Sequence, residues 1–289
     1  MTATGARLRL IAAAVMFSTG GAAIKWCGFG AWQTAAGRAL VAMWAVSLLV
    51  PEARRGWTWR AGVVAFAYAG AGLSFVLANK LTTAASTIFL QATNPLFILA
   101  LAPWLLHEHV TRREILYMAV LTVGMGFLLS SPGRQFATAP NPALGNMLAV
   151  GCSVFWALTV IGYRWLAASS PNPHGAVAAA AATGNGLVFL IALPFALPLA
   201  PGRPGDWLVL VYLGVFQLGL AYVFLARGIT KVPALEASLV MLVEPVLNPI
   251  WAWLVEGETP SAWAVVGGVI ILVATGVRAW VEVGRGVSR

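Results

Sequence analysis

The chain has 289 residues, 60% of them hydrophobic and only 9% charged, with a formal net charge of +9. A soluble domain carries about 25% charged residues, so this composition excludes a water-soluble fold and makes lipid the solvent for most of the surface. The positive balance does not point to nucleic acid, because the basic residues stand singly between apolar runs and form no patch or tail.

Crossing a bilayer takes about 20 apolar residues in a helix. Ten segments meet that length: 8–26, 31–50, 60–79, 84–106, 114–130, 142–165, 174–199, 206–226, 233–255 and 261–281. The chain is therefore expected to be an all-α polytopic membrane protein of ten transmembrane helices. Arg7 and Arg9 before an apolar run resemble the start of a secretory leader, but the run continues past Gly20-Gly21 to Trp26, long enough to span. The breaks carry turn chemistry at Pro51, Ser131-Pro132-Gly133, Pro140-Asn141-Pro142, Pro171-Asn172-Pro173 and Pro201-Gly202-Arg203-Pro204-Gly205. The connections are short, so no soluble domain is expected. Thr111 and Glu114 form a capping box for the fifth helix, and Thr259-Pro260 opens the tenth. Cys27 and Cys152 fall in different segments and read as reduced packing residues.

Loop charge sets orientation. With the N-terminus in the cytoplasm, the inner side holds Arg7, Arg9, Arg54, Arg55, Arg60, Arg112, Arg113, Arg164, Arg227, Lys231, Arg278, Arg285 and Arg289, and the outer side only Lys25, Lys80, Arg134 and Arg203. Thirteen against four places both termini in the cytoplasm. Nine tryptophans, among them Trp26, Trp59, Trp165 and Trp280, fall near segment ends, where amphipathic rings favour the interface. Trp44, Trp156, Trp251 and Trp253 lie deeper and need another reason.

The series Ala84, Pro95, Glu108, Gly126 recurs as Ala234, Pro245, Glu258, Gly276, at a constant offset of 150 residues. A duplicated unit follows, with a first five-helix repeat over 1–134 and a second over 135–289. Five spans is an odd number, so the second repeat is inverted relative to the first, and such repeats hold their site between them near the midplane.

These residues resemble the EamA-type members of the drug/metabolite transporter superfamily. The resemblance is carried by Ala23-Ile24-Lys25 closing the first span, Arg38 in the second, the Pro95–Glu108–Gly126 series, Gly145, Trp156-Ala157 and Arg164, and finally Pro245, Glu258 and Gly276. It covers essentially the whole chain. It implies ten helices in two inverted five-helix repeats around a central cavity lined by spans 1, 3, 4, 6, 8 and 9. Bacterial members of the family export amino acids and other small metabolites across the inner membrane, and the Trp content and compact loops resemble the amino-acid exporter branch.

Polar groups at membrane depth are the candidates for that cavity. Glu244 lies 11 residues beyond Pro233, roughly 16 Å into a core of about 30 Å. A charged carboxylate there is costly, so Glu244 either faces water or substrate and carries a coupled proton, or stays neutral against a carbonyl freed by Pro245 or Pro249. Its repeat partner is Asn94, directly before Pro95. Thr87, Gln91 and Asn94 share one face of the fourth helix, as Met241, Glu244, Asn248 and Trp251 do on the ninth. Pro95, Pro245 and Pro249 remove backbone donors and bend these helices. Smaller sets are Ser18 and Thr19 beside Gly20-Gly21 in span 1, Tyr68, Gly72, Phe75 and Asn79 in span 3, Ser153, Trp156 and Tyr163 in span 6, and Gln217 and Tyr222 in span 8. The bland alternative for all of these is polar glue between helices.

Other polar residues read as structural. Arg38 lies a third of the way in from the outer face, and a peripheral second span favours a structural role over pairing with a substrate carboxylate. Lys25 and Lys80 read as solvated charges at the outer mouth, and Glu108 and Glu258 as acids near the N-termini of the fifth and tenth helices. His107-Glu108-His109 is not a metal site, because residues two apart on a helix diverge. No phosphate-cradling loop is present, so no cofactor and no direct use of ATP is expected.

The expected function is secondary transport, with small metabolites, foremost amino acids, exported by alternating access. The alternatives are another solute (a vitamin, a nucleotide-sugar or a cationic compound) or, from another class, an intramembrane lipid-modifying enzyme. One deep acid and no histidine at depth argue against the enzyme. A reporter fused at the C-terminus should read cytoplasmic, and one at Arg134 or Arg203 should read outer; an outer C-terminus contradicts the charge argument.

Overall fold

The computed structural model describes residues 3–105, 111–130, 137–229 and 240–286. Among these, helix dominates and no strand is present. The first helical stretch is α1 (Ala3–Ser18) followed after one residue by α2 (Gly20–Trp26). Next come α3 (Ala31–Leu49), a 3-10 turn at Pro51–Arg54, and α4 (Trp59–Leu81). Then follow α5 (Ala84–Gln91), α6 (Asn94–Leu105), α7 (Arg112–Leu129), α8 (Pro142–Ser169) and α9 (Pro173–Ala196). The eighth stretch is α10 (Pro204–Val211), a π-helical segment Tyr212–Leu220, and α11 (Ala221–Ile229). The chain closes with α12 (Val243–Glu256) and α13 (Ala262–Gly286).

Seven stretches are long and apolar enough to cross a membrane: Thr4–Trp26, Trp59–Leu81, Ala84–Leu101, Pro142–Ser169, Pro173–Ala196, Pro204–Leu225 and Ala262–Val281. The other three expected spans differ for visible reasons. Gln33 and Arg38 lower the hydropathy of α3, α7 opens on Arg112, Arg113 and Glu114, and the ninth span is described only from residue 240.

Short polar residues set the helix starts. Thr58 Oγ1 accepts the Ala61 N–H at the start of α4, and the Thr111–Glu114 capping box opens α7. The two Pro-Asn-Pro sequences do one job twice. Asn141 and Asn172 cap α8 and α9 through their side chains, each followed by a proline in the first turn. The last helix begins differently from expectation. Ser261, not Thr259-Pro260, accepts the Ala264 N–H, and α13 starts at Ala262.

Helices pack in matched sets. α4 runs along α8 and α9, while α11 lies on α1 and the π segment on α3. α5 and α6 lie on α8, and α12 lies on α1 and α2. α3 with α9, and α7 with α13, complete the arrangement. The α7–α13 contact is backbone-close. A Cβ on Gly267 would sit 2.6 Å from the Gly124 carbonyl oxygen, so only glycine fits. Large apolar side chains point outward, including Trp44 and Trp253, more than half exposed. Their depth is thus explained by the outward-facing surface of the bundle.

Candidate functional site

Three helical stretches are interrupted, and polar side chains gather at the interruptions. The first break, at Thr19, separates α1 from α2. Gly20 and Gly21 let two amides approach the backbone there. A Cβ on Gly20 would lie 2.7 Å from Gln217 Nε2, and one on Gly21 would lie 2.6 Å from Asn248 Oδ1. Gln217 Nε2 donates to the Phe17 carbonyl at 3.4 Å. Trp251 Nε1 donates to Ser18 Oγ at 2.9 Å, and Thr19 Oγ1 bonds the Tyr212 hydroxyl at 2.8 Å. Ser18, Gln217 and Asn248 are therefore neighbours, drawn from α1, the π segment and α12.

The second break, at Ala92-Thr93, separates α5 from α6 two residues before Pro95. The Gln91 carbonyl left there accepts from Asn94 Nδ2 at 3.1 Å and from Ser153 Oγ at 3.3 Å. Thr93 Oγ1 meets Ser153 Oγ at 3.1 Å. Trp156, one turn along α8 from Ser153, sits 6.4 Å from the Tyr68 ring. The third break, a turn at Leu242, precedes α12 and stands as far before Pro245 as Ala92 does before Pro95. Glu244 follows it, half-buried, and bonds no described residue. Pro249 lies inside α12.

Not every expected residue joins these groups. Asn79 turns its Nδ2 to the Phe75 carbonyl of its own helix at 2.9 Å. Tyr163 packs against Ala61, Val64 and Leu166 in a separate cluster. What distinguishes the set is unmet hydrogen-bonding capacity. Both amide atoms of Asn248, the Oε1 atoms of Gln217 and Gln91, Asn79 Oδ1 and the Tyr163 hydroxyl are enclosed without partners among the described residues. Buried polar atoms in folded proteins are nearly always bonded, and exceptions ask for an ordered water, an ion, a ligand or a function.

The end of the bundle beyond these groups is built in the opposite way. Lys25 and Glu258 form an ion pair at 2.7 Å with side chains 1% and 3% exposed. The Lys25 ammonium also donates to the carbonyls of Thr82 at 2.8 Å and Thr138 at 2.6 Å, which uses all three of its donors. Glu258 Oε1 accepts from Thr138 Oγ1 at 2.6 Å, and Oε2 accepts the Ala84 N–H at 3.0 Å. Gly257, left-handed at φ 67, ends α12 and turns the chain so that Glu258 reaches this position. Lys80 donates to the Cys27 carbonyl at 2.6 Å, and Asp206 Oδ1 accepts the Gly28 N–H at 2.7 Å. Three expectations change here. Lys25 is buried and Lys80 half-enclosed, so neither is a freely solvated charge. Glu258 serves the N-terminus of α5, not that of the tenth helix. The pairing was open to inspection in the sequence, since the expected topology puts both charges on its outer side. Glu108 and its flanking histidines lie outside the described residues.

Residues 143–277 match the model of the EamA-like transporter family. An uncharacterised transporter, YetK of Bacillus subtilis (strain 168), is 29% identical over 172 residues, covering 57% of this chain and 50% of that protein. The pseudopaline exporter CntI of Pseudomonas aeruginosa (strain UCBPP-PA14) is 27% identical over 192 residues, covering 66% of this chain and 64% of that protein. The second half of this chain is thus similar to EamA-like transporters. A solved crystal structure, 20% identical, covers 96% of this chain and 97% of its own with a TM-score of 0.64, which shows a common fold. The matches to the two curated relatives thus span half to just under two thirds of their lengths. The similarity to EamA-like transporters and the seven apolar stretches are those of a multi-span membrane protein.

Lys25→Met or Glu258→Gln alone should lower the unfolding free energy by about 3–5 kcal/mol, because each strands a buried charge. The double variant should lose clearly less than the sum of the two. Denaturant titration in mixed micelles, read by tryptophan fluorescence, checks this; additive single losses contradict it.

Proposed function

We propose that the protein is a secondary transporter that exports small metabolites, foremost amino acids, across the bacterial inner membrane by alternating access. The reading is carried by one observation: interrupted helices at mid-depth surrounded by enclosed polar atoms without partners. Such groups, costly in lipid, suit a solute that binds and leaves. In this reading Ser18, Gln91, Asn94, Trp156, Gln217, Glu244 and Asn248 line a central midplane cavity, and Asn79 and Tyr163 extend it.

The packing supports two inverted five-helix repeats, 1–134 and 135–289. The α4–α8 contact corresponds to α11–α1, and the α5–α8 contact to α12 on α1 and α2. α3–α9 and α7–α13 each join a helix to its own counterpart. With both termini cytoplasmic by the loop-charge bias, the Lys25–Glu258 clasp lies on the outer side and closes it. Export then requires the clasp to part while the inner side closes, a rocking of one half against the other. The exporter among the relatives supports the outward direction. Glu244, half-buried and bonding none of the described residues, suits a coupled proton.

Proteoliposomes should accumulate amino acids, compared with vitamins and lipids in one panel, when a pH gradient is imposed. Cysteines at positions 94 and 244 should react with small water-soluble thiol reagents and be protected by a transported solute. Glu244→Gln should lose pH-driven accumulation and keep solute exchange, since exchange moves no net proton. Inert cysteines at both positions in a variant that still transports contradict the cavity. Unchanged pH dependence in Glu244→Gln contradicts proton coupling.

A further inference from the structure

Arg38 stands seven residues into α3, roughly 10 Å along the helix from its start. It is only 7% exposed, so the head does not snorkel to water. Among the described residues no carboxylate pairs with it and nothing bonds it, and its Nη1 is enclosed with no partner. Its guanidinium carbon lies 5.6 Å from the centroid of the Phe75 ring. A ring face attracts the cation but leaves the guanidinium's edge donors unmet.

Phe75 belongs to a defined face of its helix. Tyr68, Ala71, Phe75 and Asn79 share one face of α4. Along it the other polar atoms are largely engaged. The Tyr68 hydroxyl accepts from Asn185 Nδ2 at 3.1 Å, Cys152 Sγ donates to the Ala71 carbonyl at 3.4 Å, and Asn79 Nδ2 bonds Phe75. Two capacities of opposite sign remain: the Arg38 donors and the Asn79 Oδ1 acceptor, one turn beyond Phe75. The Trp156 and Tyr68 rings lie together farther along the same face. A planar fork of donors beside aromatic walls fits a carboxylate whose apolar body packs on the rings.

We infer that Arg38 binds the carboxylate of the transported solute, an inference that rests on the transporter reading above. The solute is then an organic acid or zwitterion, and its carboxyl-free analogue is discriminated against. The Asn79 Oδ1 accepts an N–H or O–H of the same molecule.

The test uses the purified full chain and three matched pairs: L-phenylalanine with phenethylamine, L-leucine with isoamylamine, and L-lysine with cadaverine. Thermal unfolding is followed against the concentration of each compound. At least one acid should stabilise the wild-type protein at a concentration at least about tenfold below that of its amine, as expected for a charge-assisted bidentate contact. Arg38→Met should bring that ratio to about one, and Arg38→Lys should keep part of it, because a point charge replaces the planar fork. The wild-type comparison stands even where a variant fails to fold. Equal effects of acids and amines, no stabilisation by any acid, or a preference that persists in Arg38→Met overturns the inference. Uptake of amines or uncharged solutes into proteoliposomes without any acid effect leaves the transporter reading in place and removes the Arg38 site. Acid-dependent stabilisation abolished in Arg38→Met, with no uptake of any solute, does the reverse.

Discussion

Lipid supplies no hydrogen bonds, and that constraint organises the molecule. Every backbone group and every polar side chain inside the bilayer must find its partner in the protein, in trapped water or in a ligand. Helices answer the backbone part of the demand. The side chains then separate into two kinds. Lys25, Glu258, Thr138 and Thr82 are nearly saturated with one another at one end of the bundle. Asn248, Gln217, Gln91 and Asn79, deeper inside, keep atoms without partners. The first kind fastens helices together, and the second holds capacity in reserve.

The two kinds are coupled through the same elements. Glu258 follows directly on α12, the helix that carries Glu244, Asn248 and Trp251, and its Oε2 accepts from the first residue of α5. Lys25 closes α2, whose first residues give Gln217 and Asn248 their approach. A movement that parts Lys25 from Glu258 therefore displaces the helices bearing the polar groups as well. The breaks at Thr19, Ala92-Thr93 and Leu242 are the places where such movement costs fewest intact helix bonds.

Much of this was legible in the sequence. Helix was readable from uninterrupted apolar length, the α7 start from Thr111 and Glu114, and the bends from prolines at a fixed offset. The candidate polar residues were readable because lipid makes any Asn, Gln or Glu at depth conspicuous. What was not legible depends on neighbours far apart in the chain. The π turn around Gln217 is one case: Gly214 packs on Val41, and nothing local to 212–220 announces that. The reach of Trp251 to Ser18 spans 233 residues. The burial of Lys25 is another, since a lysine at a span end looks solvated until Glu258, Thr82 and Thr138 are placed around it. Arg38 read as a peripheral structural charge, because the sequence does not show that its head is enclosed beside Phe75 and does not reach water.

The central claim is that a closed clasp at one end and a ligand-ready polar interior are two parts of one moving device. It is tested most directly by the distance across the clasp. Spin labels at Ala137 and Thr259, both exposed, adjoin Thr138 and Glu258, with the buried Cys27 and Cys152 replaced. Pulsed electron resonance in nanodiscs should give one short distance in the wild-type background and a second, longer one in the Lys25→Met, Glu258→Gln double variant or on adding a transported solute. A single unchanged distance under all three conditions contradicts the account.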